Sequence, residues 1–211
     1  MRTLVKVVWH ALAVVGLAAT AAALWLWTSG IDTRTPPGPI ETSVSRFARH
    51  TMIPATARTR QNPEPADEAA LRVAMEHWAD HCASCHANDG SGDTPMGRAL
   101  YPPAPDMRLA ETQRLSDGEL FYIIEHGVKL TGMPAWGTGT PEGERDSWQL
   151  VHFVRRLPAL TDAELAEMEE LNPRSAAEWQ ALEEERRFLA GEGTLPTPEA
   201  TPHDHRKGVP Q

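Results

Sequence analysis

Residues 82–86 read Cys-Ala-Ser-Cys-His and contain both cysteines of the 211-residue chain. Two thiols three positions apart on a helix can reach the two vinyl groups on one edge of a haem and form thioethers, and the next imidazole then lies under the iron. A zinc site would need further ligands at a suitable spacing, and a thioredoxin-type dithiol would need a strand–turn–helix context. The sequence offers neither. We therefore predict one covalent haem c, attached through Cys82 and Cys85, with His86 as an axial ligand of the iron.

The second axial ligand must come from elsewhere in the chain, and five side chains are candidates: Met96, Met107, Met133, His126 and His152. Met133 stands in the segment Gly132-Met133-Pro134, where the proline stiffens the loop that carries the thioether. His126 is better interpreted as a cation near the end of a helix, and His152 as a partly exposed helix residue. We predict Met133 as the ligand.

Three helices and no strand are predicted around these motifs. The first runs from Asp67, a capping residue, to about His81, with an apolar stripe every three to four positions. The second opens at Ser116 with capping-box spacing and ends at Gly127. The third covers about residues 144–157 and is stopped by Pro158. These helices carry few large apolar residues, so we expect that another group completes the core.

This combination resembles the monohaem class I c-type cytochromes, of the membrane-anchored bacterial kind, over about residues 67–158. The resemblance rests on Cys82-x-x-Cys85-His86, on Gly132-Met133-Pro134 and on the helix order. It implies a small all-α fold in which the first and last core helices cross and haem fills the centre. It also implies a proline carbonyl, at Pro102 or Pro103, that accepts a hydrogen bond from the His86 ring, with Pro134 as another residue supporting the iron ligands.

The N-terminus predicts a membrane segment. Residues 7–27 are apolar apart from His10, Gly16 and Thr20, and as a helix they would span roughly 31 Å at about 1.5 Å per residue. Arg2 and Lys6 precede this stretch, which favours an N-terminus in the cytoplasm. We assign residues 1–27 to a transmembrane anchor, with a cleaved signal peptide as the competing interpretation. Both place the haem domain on the periplasmic side of a bacterial cytoplasmic membrane.

Three further segments flank the predicted haem domain at 67–158. Residues 28–66 hold six prolines and predict an extended tether. Residues 159–191 predict an acidic helical extension, which either packs on the haem domain or reaches a partner. Residues 192–211 predict a disordered tail, whose His203 and His205 are either solvated or able to bind copper or zinc.

Charge and ligation together indicate a function. With 20 Lys and Arg against 29 Asp and Glu, the formal net charge is -9, which argues against a general nucleic-acid binder. An iron held by both His86 and Met133 has no open position and suits one-electron transfer. We expect a membrane-anchored carrier, or an electron-entry subunit of a respiratory complex. Its partners would be a quinol-oxidising complex or dehydrogenase and a terminal oxidase or reductase. The alternatives are a gas or redox sensor with a displaceable Met133 and, less favoured, a peroxidase-like enzyme.

Overall fold

The computed structural model describes residues 2–29, 32–174 and 176–191, and these contain helices and no β-strand. The chain divides into two units, residues 1–171 and 172–211. The α-helices of the first unit are α1 (Arg2–Ser29), α2 (Pro39–Met52), α3 (Ala55–Arg58), α4 (Glu68–His77), α5 (Ala83–His86), α6 (Pro95–Ala99), α7 (Ala110–Gln113), α8 (Asp117–His126), α9 (Pro141–Arg156) and α10 (Asp162–Leu171). A π-helical turn, Trp78–Cys82, joins α4 to α5, and a 3₁₀ turn, Leu157–Ala159, follows α9. The all-α prediction is confirmed for the described residues.

Helix α1 is 28 residues long and contains the predicted apolar stretch. It is long and apolar enough to cross a membrane, and its side chains are exposed to solvent in the isolated chain. An exposed apolar helix of this length is favourable only when lipid or another apolar surface surrounds it. The structure is thus compatible with the predicted anchor.

The core of the first unit lies where α4 and α9 pack together with α8. Asp67 caps α4 as predicted, since its carboxylate accepts a hydrogen bond from the Ala70 N–H at 2.8 Å. Trp78 from the end of α4 packs against Phe153 of α9, and the ring of Trp148 stacks on Phe121 with centroids 4.0 Å apart. These aromatic pairs fix how the three helices meet.

The predicted ends of α8 are confirmed, and the predicted start of α9 is three residues late. Ser116 and Glu119 form both bonds of the capping box, and Gly127 ends α8 with a φ of 65°. Helix α9 begins at Pro141, because Thr140 caps it by accepting a hydrogen bond from the Gly143 N–H at 3.1 Å. A proline fits this first helical position, where its missing N–H costs nothing.

The prediction of an extended tether at residues 28–66 is wrong for much of that segment, because α2 and α3 lie within it. Pro39 occupies the first turn of α2, and Pro54 is the residue that caps α3. Prolines at those positions start helices instead of breaking them. The proline content of this segment therefore does not distinguish extended chain from short helices that begin at prolines.

The segment after α2 is fastened to the haem domain by several contacts. Ile53 is buried, and the Ser116 hydroxyl donates to the Arg58 carbonyl at 2.8 Å. The guanidinium of Arg60 lies 4.5 Å from the centre of the Phe121 ring, a cation–π distance. The amide of Asn62 donates to the carbonyl of Trp148 at 2.9 Å. Residues 53–62 are therefore part of the domain's surface layer.

The first helix of the acidic extension also belongs to the haem-domain unit. Met168 of α10 is completely buried in the core, and Leu165 and Leu171 pack against it. Thr161 and Glu164 cap this helix reciprocally, because the Thr161 N–H donates to the Glu164 carboxylate and the Glu164 N–H donates to the Thr161 hydroxyl. The sequence left open whether the extension packs on the domain or reaches a partner. Helix α10 packs on the domain.

The second unit holds one described helix, α11 (Ala176–Leu189), followed by Gly191 with a φ of 76°. Ser175 lies outside the described residues, as do residues 192–211 with His203 and His205. The proposals for a disordered tail and for metal binding there stay predictions.

Candidate functional site

The motif residues stand at the end of one long helical segment. Helix α4 passes through the π-helical turn that contains Cys82 directly into α5, which carries Cys85 and His86. A single π turn inside a helix is frequent at functional sites, because it shifts the direction of the side chains that follow. The segment ends at Ala87, whose φ is 60°. The predicted position of the motif at a helix end is confirmed.

His86 is buried and held by its neighbours. Its backbone carbonyl accepts a hydrogen bond from the Gly92 N–H at 2.9 Å, and its ring lies 5.8 Å from that of Trp78. Trp78 is itself fixed, because its indole N–H donates to the carbonyl of Ala87 at 3.0 Å. Burial lowers the pKa of His86 to about 4, so the imidazole is neutral at pH 7. The neutral form is the one that ligates a metal.

The two cysteines are half-buried free thiols in this structure. Burial, and secondarily the neighbouring Cys85, raises the pKa of Cys82 to about 12. Among the described residues, no group of three or more His, Cys, Asp and Glu side chains is placed to hold a metal ion.

A cavity of about 640 Å³ opens beside the motif, and its wall is predominantly apolar. Cys82, Cys85, His86 and Met133 all line it. This volume is in the range of about 300–1,000 Å³ that is usual for cofactor and ligand sites. The structure thus brings together the four residues predicted from the sequence as cofactor and iron ligands.

The other candidates for the second axial ligand fall into two groups. Met96 and Met107 also line the cavity, so position alone leaves them as possible ligands. His126 is exposed, stacks on Tyr122 and is hydrogen-bonded to that residue's carbonyl, and it does not line the cavity. His152 also lies off the cavity, hydrogen-bonded to the carbonyl of Glu64 at 2.8 Å. The positions of His126 and His152 therefore argue against either of them as the second axial ligand.

The loop that carries Met133 is fastened to the end of α8. The Met133 carbonyl accepts from the Val128 N–H at 3.1 Å, and its own N–H donates to the Thr131 hydroxyl at 3.1 Å. Further on, the Trp136 N–H donates to the Ile124 carbonyl at 3.0 Å. Gly127 is required where the loop leaves α8, because its φ is 65° and a Cβ there would lie 2.6 Å from the Pro134 carbonyl carbon. The loop thus holds Met133 at the cavity through its backbone.

The loop after the motif folds back over α5. The Thr94 hydroxyl donates to the Ser84 carbonyl at 2.8 Å and accepts from the Gly97 N–H at 2.8 Å. Pro102 and Pro103, further along, both line the cavity, as does Pro134. The three prolines thus lie at the same cavity as the motif, and their role beside a cofactor stays a prediction.

The predicted hydrogen bond to His86 is not present. Nδ1 of His86 is buried and has no hydrogen-bond partner, so neither Pro102 nor Pro103 accepts from it here. A buried ring nitrogen without a partner is costly.

One side of the cavity was missed by the sequence analysis. Residues of α2, namely Glu41, Thr42, Ser45, Arg46 and Arg49, line it. Their spacing of three and four positions marks one face of a helix, so the signal was present in the sequence. It was overlooked because the segment had been assigned to a tether.

The donor set and the cavity suit a covalent haem. Cysteine thiols that can form thioethers, a neutral imidazole and a thioether sulfur are the groups by which c-type haem is attached and ligated.

A comparison with known families agrees with this geometry. Residues 69–154 match the family described as cytochrome c oxidase, cbb3-type, subunit III. The match begins in α4, ends in α9 and includes Cys82, Cys85, His86 and Met133, but it leaves out α2 and α3. Residues 69–154 are therefore a c-type cytochrome domain, and the N-terminal apolar helix of the chain is compatible with membrane anchoring.

Proposed function

We propose that the chain binds one haem c through Cys82 and Cys85, with His86 and Met133 as axial ligands, and that it transfers single electrons. The observation that carries the proposal is that Met133 lines the same cavity as the Cys82–His86 motif. When bound, the haem supplies an iron that alternates between Fe(II) and Fe(III). Histidine and methionine ligation favours a raised reduction potential.

The protein's own residues would have three tasks. Cys82 and Cys85 fix the cofactor covalently, while the Trp78–Ala87 hydrogen bond keeps the chain around His86 in place. The apolar wall of the cavity excludes water, which lowers the local dielectric constant and helps set the potential. The backbone bonds of the Met133 loop keep its sulfur from being displaced.

We further propose a setting for this activity. The matched family is named after a subunit of cytochrome c oxidase, so a membrane-bound respiratory complex is the favoured partner. The protein would be its electron-entry subunit, or a carrier between a quinol-oxidising complex or dehydrogenase and an oxidase or reductase. Helix α1 would hold the haem domain at the periplasmic face of the bacterial membrane, since Arg2 and Lys6 favour a cytoplasmic N-terminus.

Substitution of Met133 tests the ligation. In the full chain produced with haem, we expect a low-spin spectrum in which the reduced form does not bind carbon monoxide. Met133→Ala should open one iron position, so that the reduced protein binds carbon monoxide. The matched controls are Met96→Ala and Met107→Ala, because both side chains line the same cavity. Absorption spectra before and after addition of the gas provide the measurement.

Two results would contradict the proposal. If Met96→Ala or Met107→Ala opens the site while Met133→Ala does not, the ligand is assigned to the wrong methionine. If the unchanged protein binds carbon monoxide readily, the sixth position is labile, and the sensor interpretation replaces electron transfer.

A further inference from the structure

Helix α2 turns a polar face towards the haem cavity and an apolar face towards solvent. Arg46 and Arg49 are on the inner face, where they line the cavity. Ile40, Val44 and Phe47 are on the outer face and are exposed. A surface helix normally buries its apolar face, so this orientation indicates that the inner face meets something polar.

Arg49 lacks a partner in this position. Its Nε is buried without a hydrogen-bond partner, and the described residues give its guanidinium no ion pair. Burial, followed by the nearby charge of Arg46, lowers the pKa of Arg49, against an opposing effect of Glu119. A half-buried guanidinium whose Nε is buried without a hydrogen-bond partner is stabilised when an anion lies beside it.

The acidic side chains nearby are engaged elsewhere. Glu119 accepts from the Ser116 N–H at 2.8 Å and pairs with His50 at 2.9 Å. Glu41 accepts a hydrogen bond from the Tyr101 hydroxyl. Glu111 lies 3.7 Å from Arg46, but both side chains of that pair are about half exposed, so the pair is weak. The protein itself therefore leaves the positive charge at the cavity largely uncompensated.

We propose that Arg49, assisted by Arg46, binds the carboxylates of the haem that occupies this cavity. A haem carries two propionate side chains, and guanidinium groups bind carboxylates through paired, charge-assisted hydrogen bonds. Helix α2 is then a part of the haem site, although it precedes the residues that match the family. This inference rests on the proposed haem in the cavity.

The charge of Arg49 should influence the iron. A cation beside the cofactor disfavours the oxidised iron, which carries one more positive charge, so it raises the reduction potential. Arg49→Gln in the full haem-loaded chain should lower the midpoint potential, and Arg49→Lys should retain most of the wild-type value. The matched control is Arg72→Gln, which removes the same charge from an exposed residue of α4 that pairs with Glu167 away from the cavity.

A second measurement reports on the carboxylates directly. Haem labelled with ¹³C at its carboxyl carbons gives identifiable bands in infrared difference spectra between the two redox states. We expect these bands to shift in Arg49→Gln, to shift less in Arg46→Gln, and to stay unchanged in Arg72→Gln. If Arg49→Gln accumulates without haem, the infrared bands of Arg49→Lys provide the test instead. Its bands should also shift, because an ammonium group cannot pair with both carboxylate oxygens as a guanidinium does.

The outcomes separate this inference from the proposed function. The haem content of each variant is measured first as its pyridine haemochrome. If the wild-type chain contains no haem, the proposed function itself fails. If the haem content is normal but the potential and the labelled bands are the same in wild type, Arg49→Gln and Arg49→Lys, the role of Arg49 is overturned while electron transfer stands.

Discussion

At the scale of single residues, the approach of α6 to the haem motif depends on Gly97. A Cβ at this position would overlap the carbonyl oxygen of Cys85 and that of Gly92. Both obstacles are backbone atoms, so they cannot move aside as a flexible side chain does. The absence of a side chain at Gly97 lets the loop lie directly on the helix that carries both cysteines.

We predict that Gly97→Ala lowers the free energy of unfolding by about 1–3 kcal/mol, the usual cost of overpacking. Helix propensity alone predicts the opposite sign, because alanine is favoured over glycine in a helix by about 1 kcal/mol. The control is Ala99→Gly in the same helix at an exposed position, where only propensity acts. Chemical denaturation of both haem-loaded variants measures the difference. A more stable Gly97→Ala protein would show that α6 does not press on Cys85.

The properties of Arg46 and Arg49 at the cavity also depend on the residues that surround them in the folded chain. A sequence shows that Arg46 and Arg49 are three positions apart, but not that the Nε of Arg49 is buried without a hydrogen-bond partner. Partial burial strengthens the attraction of a cation for an anion, because the surroundings have a lower dielectric constant than water.

At the scale of elements, α3 and α8 are in such close contact that Gly118 has no room for a side chain. A Cβ at Gly118 would overlap the Ala57 carbonyl oxygen and lie 3.0 Å from that of Arg60. Together with the hydrogen bond from Ser116 to Arg58, this contact holds the N-terminal segment on the haem domain.

We predict that Gly118→Ala displaces residues 55–60 and lowers the free energy of unfolding by about 1–3 kcal/mol. Faster hydrogen exchange in that segment should accompany the loss. Gly38→Ala adds the same methyl group within the N-terminal segment, where a Cβ meets nothing within 4 Å, and should leave exchange at residues 55–60 unchanged. Equal exchange in the two variants would contradict the packing of α3 on α8.

The elements that could be predicted from the sequence share one property, which is that their signals are local. The cap at Asp67, the capping box at Ser116 and the stop at Gly127 each depend on residues within one or two turns. Helix α2 could not be predicted in this way. Its Pro39 stands at the start of the helix, and the position of its polar face is explained only by the cavity beside it.

At the scale of the whole molecule, α1 is long and apolar enough to anchor the chain in a membrane. We predict that the mature chain keeps residues 1–27 and is found in the membrane fraction. Replacing residues 1–29 by a cleavable export signal should release the haem domain into the periplasm with an unchanged absorption spectrum, because the cavity is built from residues 37–136.

Intact mass and cell fractionation measure both points. A wild-type mass that lacks the N-terminal segment would establish a signal peptide in place of an anchor. A replaced chain that stays in the membrane would show that another surface, such as the exposed apolar side of α2, is sufficient for attachment.

The sequence by itself determined the all-α class, the haem motif Cys82–His86 and the family resemblance, because these depend on the identity and spacing of neighbouring residues. The tertiary structure alone decided that α2 and α10 belong to the haem-domain unit, that Met133 shares a cavity with His86, and that Nδ1 of His86 has no proline partner. These features join residues far apart along the chain. They are set by how the helices pack, and close contacts such as that of Gly118 with Ala57 depend on the whole fold.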